Sequence, residues 1–500
     1  MCRERSESRL RLRRGTLGIS ATEDKRRNPK ESVSKQPLLI SRILDDLLAI
    51  RAIRAALPLP KDDLMLLRGA TLVTRWSAPA PLRVADVRIS DGVITAIEAN
   101  LTAEPNEPTI DLSGGVLAPG FVCGHTHLYS ALARGMPSVD PEPPNGFLEI
   151  LEKVWWKLDR ALDEESTRAS ARVGALDALR CGTVGLIDHH AAPNNVAGSL
   201  DTIADTLRDI GCRALLCYET SDRDGPEIRD AGLAENARFV QRCSLDANND
   251  GWSAGMLGAH ASFTLSDETL DGLAALSEQY GVGLHGHVAE GTDDRRETKT
   301  RYGADLLRRF AQRGLLKPGT IFAHCVDLTE EELAQVHAAG CHFAHNPSSN
   351  LNNRVGFSPL WQHSDRVMLG TDGIGADMYG EAKMAWFRGT EATGALSPAR
   401  VLAMIDASAD RLYDALGVQG GELKVGAVAD LQWLAYDSPT PLSAETVAGH
   451  VLFGMGVQFV RHVWVGGRWV LRHGEFAELD EAAERANARQ QAVDLWGRRA

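Results

Sequence analysis

The chain has 500 residues, of which 44% are hydrophobic and 24% charged, which suits a soluble globular protein with room for a large core and a second module. Its formal net charge of -13 argues against a general binder of nucleic acid or of anionic membranes. Eight cysteines without a CxxC pair, and no apolar run of membrane-spanning length, favour a cytoplasmic enzyme with buried thiols over a secreted disulfide framework or a membrane protein.

In chain order, residues 1–36 are polar and basic, lack the apolar core of a secretory leader, and read as a disordered extension. Residues 37–60 carry Leu39, Ile40, Ile43, Leu44, Leu47 and Leu48 at helical spacing, which predicts a helix of unassigned role. From 63 to 116 the texture is strand and turn, with Val84–Ile89, the Asp91-Gly92 turn and Val93–Ile97 forming a hairpin. The same texture returns between 416 and 475, at Ala429–Leu434 and around Gly466-Gly467. The two ends therefore predict one small composite β-sandwich, with a C-terminal helix over 476–500.

Between them, residues 117–415 alternate helical stretches with short apolar strands. Each strand closes on polar groups: His127, Asp188-His189-His190, Glu219, His260, His287, His324, His345 and Asp372. These eight ends recur about every 35 residues, the spacing of an α/β (β/α)8 TIM barrel, whose active site lies at the C-terminal strand ends. Polar groups closing eight successive apolar strands are costly as core packing, whereas a shared site satisfies them.

His125 and His127 are two residues apart on a strand and share a face. For such a pair alone, core packing and metal binding stand side by side, and the later strand ends decide between them. Strand five ends His285-Gly286-His287-Val288-Ala289-Glu290, strand six His324-Cys325, and strand eight Gly370-Thr371-Asp372-Gly373. The expected ligands of one divalent ion are His125, His127, His287 and Asp372; the mixed set suits zinc, with iron or manganese as alternatives. Such an ion lowers the pKa of a bound water from 15.7 toward about 7. Asp372 would take the proton of the resulting hydroxide, Glu290 would protonate a substrate ring nitrogen, and His324 would hydrogen-bond the developing oxyanion.

Phe121–His127, HVAE at 287–290, AHC at 323–325, HNPSSN at 345–350 and GTDG at 370–373 resemble the amidohydrolase superfamily, in particular its cytosine/guanine deaminase and chlorohydrolase branch. The longer stretches 125–136, 147–163, 188–193, 217–225, 287–294 and 370–378 are similar to SsnA-type aminohydrolases. The resemblance implies the same roles for His125, His127, His287, Glu290, His324 and Asp372. It also implies a single metal, because the lysine that closes strand four in binuclear members is absent from Met256–Ser262. His285, one layer below His287, is either a packed interior residue, the preferred reading, or a further ligand.

On the substrate side the resemblance points to His260. Tyr218 and Glu219 close strand three, and Glu219 is either an acceptor for a substrate amine or an ion-pair partner of an arginine. Arg134 is either a substrate anchor or a loop brace. Asp188, His189 and His190 are candidates for orienting ligands, His345-Asn346-Pro347 for shaping a loop, and residues 141–158 for a lid or a dimer contact. The expected activity is hydrolytic deamination at an amidine-like carbon of a small N-heterocycle, with release of ammonia. Ring opening or dechlorination at the same site is the alternative, and a non-catalytic scaffold a more distant one. A homodimer is expected, with no nucleic-acid or membrane partner.

Overall fold

The computed structural model describes residues 64–245 and 251–499. The expected basic extension (1–36) and the helix expected over 37–60 lie outside the described residues.

Eight parallel strands form the barrel: β1 Phe121–Thr126, β2 Thr183–His190, β3 Arg213–Thr220, β4 Leu257–Ala261, β5 Leu284–Val288, β6 Ile321–His324, β7 His342–His345 and β8 Val367–Leu369. They are hydrogen-bonded in that order, and β8 closes onto β1 through a bridge between Thr126 and Asp372. Ile187, Leu215, Cys217, Met256, Ile321, Ala323, Ala344 and Met368 form one apolar cluster. Their neighbours Leu186, Leu216, Leu257, Phe322, Phe343 and Leu369 belong to the cluster shared with the surrounding helices. This alternation of partners is the period of two expected of strands buried on both faces.

Two glycines let β1 and β8 approach. A Cβ at Gly124 would lie 2.8 Å from Met368 Cβ, and one at Gly370 would lie 2.8 Å from the backbone nitrogen of His125. Any larger residue would push apart the two strands that carry His125 and Asp372.

The chain ends join in one nine-stranded sheet. Its order runs 475–476, 468–472, 460–465, 431–434, 116–119, 64–72, 83–90 and 93–98, with 109–111 beside 64–72. The sheet curls so that the edge strand 93–98 reaches back to the segment before strand 431–434, where Ala429 N donates to Gly92 O at 2.8 Å, and Leu67, Ile94, Leu117, Leu431 and Trp464 share its core. Strand 116–119 runs straight into β1 through Gly120. Buried Asp430 ties the sheet to the barrel, accepting from Arg213 Nη2 at 3.0 Å, Tyr413 Oη at 2.6 Å and Gly466 N at 2.6 Å. The last helix, Glu481–Gly497, packs on helix Glu164–Arg180, held partly by Arg485 to Asp177 at 2.6 Å. Among the described residues no helix is long and apolar enough to cross a membrane.

Candidate active site and metal centre

The strand ends bring His125, His127, His287 and Asp372 together, with one ligand atom from each within 4.8 Å of the others. His127 Nε2 lies 2.9 Å from Asp372 Oδ1 and 3.1 Å from His287 Nε2, and His125 Nε2 lies 3.5 Å from Asp372 Oδ1. Four ligands at about 2.1 Å from a tetrahedral ion would sit roughly 3.4 Å apart, so the spacing is that of a coordination sphere. His125 Nε2 is buried without a hydrogen-bond partner. Two neutral imidazole lone pairs facing each other at 3.1 Å repel unless a proton or a cation lies between them. Donor type, spacing and the orphaned nitrogen all fit a divalent ion.

The ligands are held from behind. His127 Nδ1 donates to the carbonyl of His189 at 2.6 Å, which leaves Nε2 free for an ion. His125 Nδ1 meets His285 Nε2 at 2.9 Å. With His125 Nε2 as the ligating atom, Nδ1 is the donor and His285 the acceptor. His285 is thus a buried support beneath a ligand. Asp188 Oδ1 accepts from Leu128 N at 2.6 Å and anchors the turn after β1.

Glu290 and His324 flank the ligand cluster. His324 Nε2 is 3.7 Å from Glu290 Oε2 and 4.0 Å from Asp372 Oδ2. In β6 the inward residues are Ile321 and Ala323, so simple alternation would turn His324 outward. The backbone at His324 instead takes φ 70°, a left-handed conformation, and the imidazole is fully buried beside the acid groups. Ala289, Cys325 and Asp372 are also left-handed, at φ 49°, 51° and 53°. Such non-glycine residues cost about 1 kcal/mol or more apiece, and here they cluster where side chains must be aimed. Burial pushes the Glu290 carboxyl up to about 7, against the pull of His324. Burial opposes ionisation of Asp372 as well, but the imidazoles of His125 and His127 beside it hold its carboxyl well below the usual range.

Above this floor lies a cleft with about 600 Å³ of empty space, counting the part open to solvent. One wall is the helical segment from Phe147 to Arg160, which widens to a π-turn over Leu151–Trp155. Phe147, Leu151, Trp155 and Asp159 recur every four residues and all face the cavity, with Trp156 beside them. The stretch expected as a lid or a contact surface therefore roofs the site.

Glu219 and His260 also line the cavity. Burial opposes the charge on Glu219, yet His260, the bond from His189 at 3.0 Å and Arg223 hold it ionised. Burial lowers His260 to about 4. Its Nδ1 meets Thr264 Oγ1 at 2.7 Å, and that hydroxyl donates onward to Ala261 O. His260 Nδ1 is therefore the donor, and Nε2 remains an acceptor.

Two substrate-side candidates, Tyr218 and Arg134, do not line this cavity. Tyr218 precedes Glu219 on β3, so when Glu219 faces in, Tyr218 faces out; its ring packs beside Gly232 and His190. Arg134 follows the turn Leu128–Ala133, is 68% exposed, and pairs with Asp177 at 2.8 Å, so it braces the loop. His345 also faces outward, against Phe357 and Trp361.

Sequence reasoning missed Asp159, whose Oδ2 pairs with buried Arg223 while Oδ1 has no partner. Its signal was the four-residue spacing from Phe147. It also missed Ser349, Asn350 and Asn353, which touch Asp372, His324 and Glu290 respectively.

The profile of the amidohydrolase family matches residues 116–470. The chain is similar to a 5'-deoxyadenosine deaminase of Methanosarcina mazei, with 29% identity over 444 residues, covering 87% of this chain and 99% of that protein. It is 30% identical over 392 residues to a 5-methylthioadenosine/S-adenosylhomocysteine deaminase of Desulforudis audaxviator, covering 76% and 86% of the two chains. In fold it resembles an adenosine deaminase from Xanthomonas campestris with bound zinc, at TM-score 0.75 and 24% identity, covering 86% of this chain and 98% of that one. A barrel whose strand ends converge on a set of residues able to hold a metal ion, joined to a sheet built from both chain ends and matched by this profile along most of its length, places the chain in the amidohydrolase family, as a hydrolase of carbon–nitrogen bonds other than peptide bonds.

Proposed function

We propose that this protein deaminates a small nitrogen heterocycle bearing an exocyclic amino group, with adenine nucleosides lacking a 5'-hydroxyl as the substrate class to test first. The observation that carries the reading is the placement of Glu290 and His324 beside, but outside, the four-residue ligand set. The names of the curated relatives support the same reaction.

His125, His127, His287 and Asp372 would hold one divalent ion, zinc by the chemistry of the donors, and when bound it supplies an acidified water as nucleophile. Asp372 takes the proton of the attacking water at Oδ2. Glu290, kept near neutral by burial, gives a proton to the ring nitrogen next to the carbon under attack. His324, taking up a proton at Nε2, donates a hydrogen bond from it to the oxygen as negative charge grows there. A carbon–oxygen bond forms and the carbon–nitrogen bond breaks; the amino group takes the proton held by Asp372 and leaves as ammonia, and the added hydroxyl returns a proton to Glu290, leaving a carbonyl beside a ring N–H. Trp155 and Trp156 offer flat apolar walls for the ring. Glu219, His260 Nε2 and Asp159 Oδ1 are acceptors and suit substrate N–H and hydroxyl groups. Cys123, Cys181, Cys212, Cys217, Cys325 and Cys341 are free thiols, which supports a reducing, cytoplasmic setting.

The test is zinc-loaded protein assayed for ammonia release across 5'-deoxyadenosine, other purine nucleosides, free purines, pterins and triazines. Ammonia with the ring intact supports the proposal. Chloride from a chlorotriazine, or a ring-opened acid without ammonia, favours the alternative hydrolysis. No turnover together with no bound metal would favour a non-catalytic role.

A further inference from the structure

The helix Pro347–Asn353 has only seven residues and follows β7. Its inward side chains are polar, and Ser349, Asn350 and Asn353 are buried at 2%, 3% and 9% exposure. Burying three polar side chains on one short helix is unfavourable unless each finds a partner, and each finds a different residue of the acid–base set. Ser349 Oγ donates to Asp372 Oδ2. Asn350 Oδ1 lies 2.8 Å from His324 Nδ1. Asn353 Nδ2 points at Glu290 Oε1 at 3.4 Å and at Ser349 Oγ at 3.3 Å.

We propose that this helix is a positioning element for the reaction, with Ser349 and Asn353 setting the orientation of Asp372 and Glu290, and Asn350 the orientation and tautomer of His324. The donor accounting closes. The two hydrogens of Asn353 Nδ2 serve Glu290 and Ser349, and the single hydroxyl hydrogen of Ser349 serves Asp372. Both acids therefore have one oxygen fixed by a donor from the same helix. Asn350 does the reverse. Its carbonyl oxygen only accepts, so His324 keeps its hydrogen on Nδ1 and exchanges protons with the site through Nε2 alone. Nε2 has no partner of its own and is fully buried. The helix is itself fixed at both ends. Pro347 occupies the first turn, Ser348 N donates to buried Glu381 Oε1 at 2.9 Å, and Arg354 stops it at φ 56°. Residues 349 and 353 lie one turn apart on the same face, which is why one rigid segment reaches both carboxylates.

This inference rests on Glu290, His324 and Asp372 being the proton-handling groups proposed above, and its test separates the two. Full-length zinc-loaded Asn350→Ala and Asn350→Asp are compared with the parent by 15N-histidine NMR, with the His324 resonance assigned by its loss in His324→Asn. Metal content and thermal midpoint are measured alongside, and kcat and KM are determined on the best ammonia-releasing substrate. In Asn350→Ala, His324 should lose its Nδ1–H signature. Its kcat should fall about 10- to 100-fold while KM stays within threefold and one metal per chain is retained. Asn350→Asp, which still accepts from Nδ1, should keep the signature and recover kcat to within tenfold of the parent. An unchanged His324 resonance in Asn350→Ala, or parental kcat in that variant, overturns the inference. If no substrate is turned over, the deaminase reading fails, and the NMR comparison still decides whether Asn350 sets the tautomer.

Discussion

Replacing Glu290 with glutamine should abolish turnover and stabilise the fold at alkaline pH. Glu290 is 7% exposed, and burial lifts its carboxyl from 4.5 to about 7. A carboxyl with a raised folded-state pKa binds its proton more tightly in the folded chain. Its stabilising contribution is complete below pH 4.5 and is lost as pH climbs through 7. At about 1.4 kcal/mol per pH unit, the ionised side chain destabilises the metal-free fold by about 3 kcal/mol at pH 8. Glutamine does not ionise, keeps Oε1 available to Asn353, and turns an N–H toward His324 Nε2, 3.7 Å from the present Oε2. Chelator-treated Glu290→Gln should therefore be about 1–3 kcal/mol more stable than the parent at pH 8 and nearly equal to it at pH 5. On the zinc-loaded enzyme, loss of a general acid should lower kcat about 1000-fold, near 4 kcal/mol, without loss of metal, because Glu290 is outside the ligand set. Urea denaturation at the two pH values, elemental analysis and ammonia release make the measurement. A variant retaining a tenth or more of parental kcat removes Glu290 from its role. A stability difference that does not change between pH 5 and pH 8 refutes the burial argument.

His285→Gln should leave the fold intact but weaken zinc binding about 10- to 100-fold, read by chelator competition; unchanged affinity would mean that the 2.9 Å contact with His125 does not support the ligand. Asp430→Ala strands a buried guanidinium and should cost about 4 kcal/mol in denaturation, whereas Asp430→Leu with Arg213→Met should recover most of the loss; equal losses in the two proteins would contradict this. Arg134→Ala should change KM less than about twofold and stability by under about 0.5 kcal/mol. A large rise in KM would return Arg134 to the substrate.

The sequence by itself determined the barrel, its strand order and the residues that meet at its mouth, because strand ends at about 35-residue intervals must gather on one rim once the barrel closes. His125, His127, His287, Glu290, His324 and Asp372 were legible for that reason, each being the last or next polar group after an apolar run. What needed the tertiary structure were relations that alternation cannot express. Alternation allows only one of Tyr218 and Glu219 to face in, and the packing of the Tyr218 ring beside Gly232 and His190 decides which. His324 faces in only because its backbone takes a left-handed turn. Arg134 is claimed by Asp177, from a helix more than forty residues later in the chain. Asp159 and the triplet Ser349, Asn350 and Asn353 gain their meaning from partners on other elements, since a buried polar side chain is defined by what it bonds to, and that is settled only when the elements pack.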